Sequence, residues 1–97
     1  MYEIVWTAKA IGQLEAIGDY IALEDPLAAA RLADRLITLA ESLAEFPNRG
    51  RIAEANSREM TTVWPYVLSY RVEGNKVLIL HIRHGARVPG SGEPAER

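Results

Sequence analysis

The chain has 97 residues, of which 48% are hydrophobic and 25% are charged, and its formal net charge is −2. These values are typical of one small globular domain with a narrow margin of stability, and the negative balance excludes a general electrostatic attraction to nucleic acid. The absence of cysteine excludes disulfides and thiolate metal sites, and neither a signal peptide nor an apolar run near the ~18 residues of a membrane span is found. We therefore expect a cytoplasmic protein without a membrane partner.

The first predicted elements are a short strand and a helix. Residues 2–6 alternate as a strand does, and Thr7 is a suitable N-cap for a helix over residues 8–23. The apolar residues that recur there at helical spacing are Ile11, Leu14, Ile17 and Ile21. Gly12 and Gly18 each weaken this helix by up to about 1 kcal/mol relative to Ala. Packing against the rest of the domain must therefore stabilise it.

A second helix is predicted directly afterwards, with Asp25 as its N-cap and Pro26 as its first residue. Its apolar residues form one seam, namely Ala29, Leu32, Leu36, Leu39, Leu43 and Phe46. The short linker makes the two helices antiparallel neighbours, so we expect this seam to lie in the core. Self-association through the remaining apolar residues is the alternative. Pro47 and Gly50 end the helix.

The second half of the chain is predicted to form strands. Residues 51–57 have the composition of a loop, whereas residues 58–63 favour a strand. A hairpin follows over residues 65–87, and its apolar run at residues 77–82, interrupted only by His81, is typical of a central strand that is covered on both faces.

Gly74 and Asn75 suit a two-residue type II′ turn in this hairpin. Such a turn pairs Tyr70 with Ile79 and Leu68 with His81. On the other face it places Leu78, Leu80 and Ile82 beside Arg71, Ser69 and Val67. A longer loop would change this register.

The predicted order is β-α-α-β-β-β, an α+β domain of two layers in which a helical hairpin packs on one face of a small, mostly antiparallel sheet. Residues 1–87 form this single domain, and residues 88–97, rich in Gly, Pro and charge, form a flexible tail. The helices can cover only one face of the sheet. Because the second face is half apolar, we expect a bound partner to cover it.

Catalytic candidates are few. His81 and His84 are three apart on one strand and therefore lie on opposite faces, which makes them a poor metal pair. We interpret His81 as a partly buried sheet residue, and His84, beside Arg83 and Gly85 at a strand end, as a candidate general base. No phosphate-binding loop or metalloprotease motif occurs, so no cofactor or metal site is predicted.

Several arginines suggest a binding site more strongly than the histidines suggest a catalytic one. Those that follow the central strand or flank the strand before the hairpin are Arg49, Arg51, Arg58, Arg83 and Arg87. In a compact domain some of them can converge on the exposed sheet edge, where they would bind a phosphate backbone or an acidic peptide equally well. The alternative is that most are solvated surface charges.

Several segments, taken in order, resemble the RelE/ParE superfamily of toxins from type II toxin–antitoxin modules, and the ParE branch more closely. They are I-V-W-T, Y-I-A-L-E-D-P-L-A-A-A, F-P-N-R-G-R, R-E-M, P-Y-V-L-S-Y-R-V and V-L-I-L-H-I-R-H-G-A-R. The resemblance covers residues 2–87, and H-G-A-R is the usual ParE-like ending.

The resemblance implies a toxin that a cognate, ParD-like antitoxin neutralises in a toxin–antitoxin hetero-oligomer, and a role in plasmid stabilisation. The ParE branch is associated with poisoning of DNA gyrase, and the RelE branch with cleavage of mRNA on the ribosome. RelE-like nucleases carry an arginine where this chain has Val67 and lysines where it has Arg58 and Met60. They also carry a tyrosine soon after the final strand, whereas the last tyrosine here is Tyr70. Only Arg87 falls on a position where those nucleases keep an arginine.

We therefore expect a binding inhibitor of gyrase rather than an enzyme, with Arg83, His84 and Arg87 as target contacts and no sequence-specific binding of nucleic acid. One alternative is an mRNA endonuclease that uses Arg58, Arg83, His84 and Arg87. The other is a protein-interaction module without toxicity.

Overall fold

The computed structural model describes residues 1–85, which contain two helices and five strands. In chain order they are β1 (Glu3–Trp6), α1 (Ala8–Ala22), α2 (Pro26–Ser42), β2 (Arg51–Ile52), β3 (Arg58–Met60), β4 (Tyr66–Glu73) and β5 (Lys76–His84). Within these residues, no helix has the length and apolar character needed to cross a membrane. Arg87 and the predicted tail, residues 88–97, lie outside the described residues.

The strands form one sheet in the order β1-β5-β4-β3-β2. The strand β1 is parallel to β5, and every other pair is antiparallel. The prediction of a two-layer α+β fold is confirmed. The strand β5 lies inside the sheet, between β1 and β4, but the prediction that both its faces are covered is wrong, because Leu78 and Leu80 are only half-buried. The loop predicted at residues 51–57 is wrong at its start, because β2 pairs there with β3. A two-residue edge strand has no periodicity by which a sequence can reveal it.

Both helices begin at the predicted caps. The Thr7 hydroxyl accepts a hydrogen bond from the Ala10 N–H at 3.2 Å and donates to the Ile79 carbonyl at 2.7 Å, which joins the start of α1 to β5. The Asp25 carboxylate accepts from the Ala28 N–H at 3.0 Å. Each cap satisfies a backbone donor that the first turn of a helix leaves without an intrahelical partner.

The seam of α2 is buried as predicted, except at its end. Its buried members are Ala29, Leu36, Leu39 and Leu43, and Leu32 packs against them at the border of the core. Phe46, however, is 60% exposed, so its assignment to the core is wrong. Since α2 ends at Ser42, the turn that follows carries Phe46 out of the helical phase.

The β4–β5 hairpin has the predicted turn, but its register changes along its length. Gly74 and Asn75 form the two-residue loop between the paired residues Glu73 and Lys76. Gly74 has φ 60°, and a type II′ turn requires a positive φ at this first loop position. The pairing of Tyr70 with Ile79 is confirmed, whereas the pairing of Leu68 with His81 is wrong.

The cause is a β-bulge between Ser69 and Tyr70. The pairing passes over Leu80, so that His81 lies opposite Ser69 and Ile82 lies opposite Leu68. An extra residue on one strand reverses the faces of all residues beyond it. The bulge therefore moves His81 and Arg83 to the sheet face opposite the helices, and His84 to the helix-covered face.

Candidate functional site

The sheet face opposite the helices, called here the open face, carries a groove of about 690 Å³. Its side chains from the sheet are those of Glu59, Ser69, Arg71, Leu80, His81 and Arg83, and β2 with the following loop borders it. Leu78 and Leu80 on this face are only half-buried, as predicted for a face that the helices do not cover. The groove therefore combines charged, neutral polar and apolar surfaces.

A carboxylate bridges two arginines in this groove. Glu59 Oε1 lies 3.0 Å from Arg51 Nη2, and Glu59 Oε2 lies 3.1 Å from Arg83 Nη2. Burial would raise the pKa of Glu59, but the hydrogen bonds and charges of Arg83 and Arg51 outweigh it and hold the pKa below its ordinary value. The predicted convergence of arginines thus occurs for Arg51 and Arg83, around a carboxylate of the protein itself.

Ser69 occupies the centre of the open face. It pairs with Glu59 on β3 and with His81 on β5, so the three side chains form a row across adjacent strands. Ser69 is only 2% exposed, and within residues 1–85 its hydroxyl has no hydrogen-bond partner in the protein. A buried hydroxyl without a partner is uncommon in a folded protein and calls for an explanation.

His81 is held in its neutral form. Burial lowers the pKa of its imidazole, and the nearby charges of Lys9 and Arg83 lower it further, against a smaller opposing effect of Glu59. An imidazole with a lowered pKa is deprotonated at neutral pH and can accept a proton. His81 is therefore better placed than His84 for any acid–base chemistry beside Arg83.

Two of the predicted arginines do not join this cluster. The Arg58 Nη1 donates to the carbonyls of Asn48 at 3.1 Å and Gly50 at 2.8 Å, which fixes the loop after α2 to β3. The Arg49 Nη1 donates to the Ser42 hydroxyl at 2.8 Å. The convergence predicted for some of these arginines therefore does not include Arg58, since alternation along β3 places Arg58 on the other face from Glu59.

His84 lies on the helix-covered face. Its ring makes an edge-on contact with Tyr66 at 5.4 Å between centroids, and both rings border a groove of about 530 Å³ together with Gln13, Ile17 and Tyr20 of α1. Arg83 and His84 thus point to opposite sides of the sheet. Their role as target contacts stays a prediction, as does that of Arg87, which lies outside the described residues.

The residues that sequence reasoning did not select are Ser69 and Glu59, together with His81 in place of His84. The signal that could reveal them is the strand register, which a single bulge changes. Among residues 1–85 no group of three or more His, Asp or Glu side chains is arranged to hold a metal ion. Chemically, the open face offers paired charges, a neutral imidazole and a hydroxyl beside half-buried leucines.

Comparisons with known proteins point to one family. Residues 4–89 match the family model described as "ParE toxin of type II toxin-antitoxin system, parDE". The chain is 52% identical over 88 residues to "Toxin RelE2" of Caulobacter vibrioides, covering 91% of this chain and 100% of that protein. It is 41% identical over 64 residues to "Toxin RelE1" of the same bacterium, covering 63% and 69% of the two chains.

A solved structure shares the fold as well. It is titled "Chromosomal ParDE TA system from P. aeruginosa", and it matches this chain with a TM-score of 0.77 and 31% sequence identity. The match covers 87% of this chain and 96% of that one.

Proposed function

The chain belongs to the ParE toxin family of type II toxin–antitoxin systems, and from this premise we propose that it inhibits DNA gyrase by binding and is neutralised by a ParD-like antitoxin. Residues 1–87 form the toxin domain in this proposal, and Arg83, His84 and Arg87 contact the target. Toxin and antitoxin associate as a hetero-oligomer in the cytoplasm, where gyrase acts, and the module serves plasmid stabilisation. The activity needs no cofactor and no sequence-specific contact with nucleic acid.

The observation that carries this proposal is the neutralisation of the arginines. Cleavage of RNA by attack of a ribose 2′-OH needs a base, an acid and cations that stabilise the charge on the phosphate. Here Arg51 and Arg83 are both engaged by Glu59, and Arg58 donates to loop carbonyls. The described residues thus leave few cations for a phosphoryl-transfer transition state, which supports action by binding.

Two buried side chains support the same conclusion. Val67 and Met60 stand where the resemblance places cationic residues of a ribosome-dependent nuclease, and both are buried here. Met60 belongs to the buried core, where a cation would need a charged partner. Val67 pairs with Arg83 across β4 and β5, so a cation there would lie beside a like charge.

An antitoxin partner is supported by the open face. Its half-buried leucines are a surface that a bound protein segment would cover. The buried Ser69 hydroxyl at the centre of this face has no hydrogen-bond partner within residues 1–85, and such a segment could supply one. The P. aeruginosa structure is titled as a ParDE system. A toxin that exposes such a face is expected to be poorly soluble alone and to gain stability with its antitoxin.

A second candidate function is cleavage of mRNA. His81 is neutral at pH 7 and lies on the open face near Arg83, and the relatives from C. vibrioides are named RelE. In this candidate His81 is the base and Arg83 the stabilising cation, whereas His84 on the other face takes no part.

The test uses purified toxin with gyrase and plasmid DNA, and in parallel with translating ribosomes. We expect inhibition of supercoiling in the first reaction and intact mRNA in the second. Codon-dependent mRNA cleavage with unaffected supercoiling would instead establish the second candidate.

A further inference from the structure

The centre of the open-face groove contains hydrogen-bonding capacity that the protein does not use. Ser69 is 2% exposed, borders the groove and has no side-chain partner within residues 1–85. Arg83 places one N–H on Glu59, whereas a guanidinium carries five such donors in a fixed plane. A hydroxyl and an arginine with remaining donors can together bind a ligand with two acceptor oxygens.

The charges of the groove favour a carboxylate on a protein over the backbone of a nucleic acid. The groove is bordered by three arginines, Arg51, Arg71 and Arg83, and by two glutamates, Glu54 and Glu59. The formal charge of these five side chains is therefore only about +1. Arg71 is in addition paired with Glu73 at 2.8 Å. A phosphate backbone is held by a surplus of positive charge along its length, which this groove lacks. One acidic side chain among apolar ones matches both the remaining N–H donors of Arg83 and the half-buried leucines.

Glu59 shows how such a group is held. Each of its two oxygens contacts a different arginine, at 3.0 Å and 3.1 Å. The protein's own carboxylate therefore keeps Arg51 and Arg83 oriented towards the groove. At the same time its negative charge opposes the approach of a second anion.

We propose that the open-face groove receives an acidic side chain from the antitoxin, an Asp or Glu whose carboxylate is bound by Arg83 and the Ser69 hydroxyl beside the Glu59 bridge. The proposal rests on the antitoxin partnership proposed above and specifies its chemistry. The neighbouring residues of the antitoxin segment are apolar and cover Leu78 and Leu80. The acidic side chain fixes the register of the segment on the sheet and contributes to the choice of partner.

The experiment measures the affinity of this chain for the antitoxin expressed from the adjacent reading frame. Arg83→Gln is expected to weaken binding by about thirtyfold or more, because it removes one partner of a buried charge pair. Ser69→Ala is expected to weaken it by about tenfold. Arg31→Gln, an exposed arginine of α2 outside the groove, is the matched control and is expected to bind like the wild type.

Glu59→Gln separates binding from folding, because its expected effect has the opposite sign. Loss of the competing negative charge is expected to strengthen antitoxin binding by roughly threefold to tenfold. If Glu59 only supports the sheet, the same variant weakens binding together with the melting temperature. That result, or an Arg83→Gln variant that binds like the control, overturns the proposal.

The acidic residue itself is found by combining variants. Each Asp and Glu of the antitoxin is changed to its amide and tested against wild-type toxin and Arg83→Gln. One of them is expected to lose its effect in the Arg83→Gln background, which is the mark of a direct pair. If every effect stays additive, the pair does not exist.

Two further arms separate this proposal from its alternatives. In the first, a short single-stranded RNA is added at physiological salt. If it competes with the antitoxin, and only when Arg83 is present, the groove binds phosphate and the proposal is overturned.

In the second, gyrase supercoiling is assayed in parallel. Absence of gyrase inhibition contradicts the proposed target. It does not contradict the proposed pair of Arg83 and the antitoxin carboxylate, because the affinity measurement contains no gyrase. Absence of binding between wild-type toxin and the adjacent-frame protein overturns the antitoxin partnership and the pair together.

Discussion

The phenolic oxygen of Tyr70 accepts a hydrogen bond from the backbone N–H of Gly50 at 2.9 Å. The same hydroxyl donates to the carbonyl of Pro47 at 2.7 Å, and Tyr70 is fully buried in the sheet. One side chain thus satisfies two backbone groups of the loop that leads from α2 to β2. The loop in turn positions Arg51, one of the two arginines that Glu59 bridges.

Removal of this hydroxyl should destabilise the fold. In Tyr70→Phe the Gly50 N–H and the Pro47 carbonyl lose their partner in a buried position, at a cost of about 1–3 kcal/mol. Tyr20→Phe is the control, because Tyr20 is 73% exposed, and its free energy of unfolding should change by less than about 0.5 kcal/mol. Urea denaturation measures both. Equal midpoints for the two variants would show that the bond contributes no net stability.

Gly50 should not tolerate a methyl group. An added Cβ would lie 2.7 Å from Tyr70 Oη, 2.8 Å from Tyr70 Cε1 and 3.0 Å from the Glu59 carbonyl, so the ring or the backbone must shift. We expect Gly50→Ala to lower the free energy of unfolding by about 1–3 kcal/mol.

The matched control for that variant is Gly12→Ala in α1, where an added Cβ has no atom within 4 Å. It should raise stability by up to about 1 kcal/mol through helix propensity. Thermal melts of the two variants should therefore shift in opposite directions. A shift of the same sign in both would contradict the steric argument at Gly50.

The core should depend strongly on α2. Leu36 is fully buried, so Leu36→Ala removes buried methyl groups and leaves a cavity, at a cost of about 2–5 kcal/mol. Leu23→Ala at the exposed end of the helical hairpin should cost less than about 0.5 kcal/mol. Denaturant melts compare the two. A cost below half a kcal/mol at Leu36 would show that the seam does not form the core.

The helices could be predicted from the sequence, whereas the open face could not. Thr7 and Asp25 reveal the helix starts because capping is local chemistry, and the spacing of leucines in α2 reveals its buried face. The open face is different, because its composition depends on a bulge near Ser69. A bulge arises from packing between strands rather than from any residue type, so neither the row of Glu59, Ser69 and His81 nor the face on which Arg83 lies could be predicted.

His81 should make stability depend on pH. Its folded-state pKa is lowered from the ordinary value of 6.5, so the unfolded chain binds a proton more readily than the folded chain. The stabilising contribution is therefore present above pH 6.5 and is lost as the pH falls through the folded-state pKa. His81→Asn should remove this part of the dependence. Urea melts at a series of pH values test it, and identical curves for wild type and variant below that pH would contradict it.

The two histidines separate the two candidate functions, because the sheet places them on opposite faces. If the toxin acts on gyrase through Arg83 and His84, expression without antitoxin should block DNA replication and induce a DNA-damage response while mRNA stays intact. His84→Asn should then raise the toxin concentration for half-inhibition of supercoiling by about tenfold, the effect of removing a central contact, and should do so more strongly than His81→Asn.

If the toxin cleaves mRNA, the relative importance of the two histidines reverses. His81→Asn would then abolish cleavage on translating ribosomes, because within residues 1–85 His81 is the only histidine on the same sheet face as Arg83. His84→Asn would cleave mRNA like the wild type. Supercoiling and ribosome assays on the same three preparations decide between them, and mRNA cleavage that depends on His81 with unaffected supercoiling would overturn the gyrase proposal.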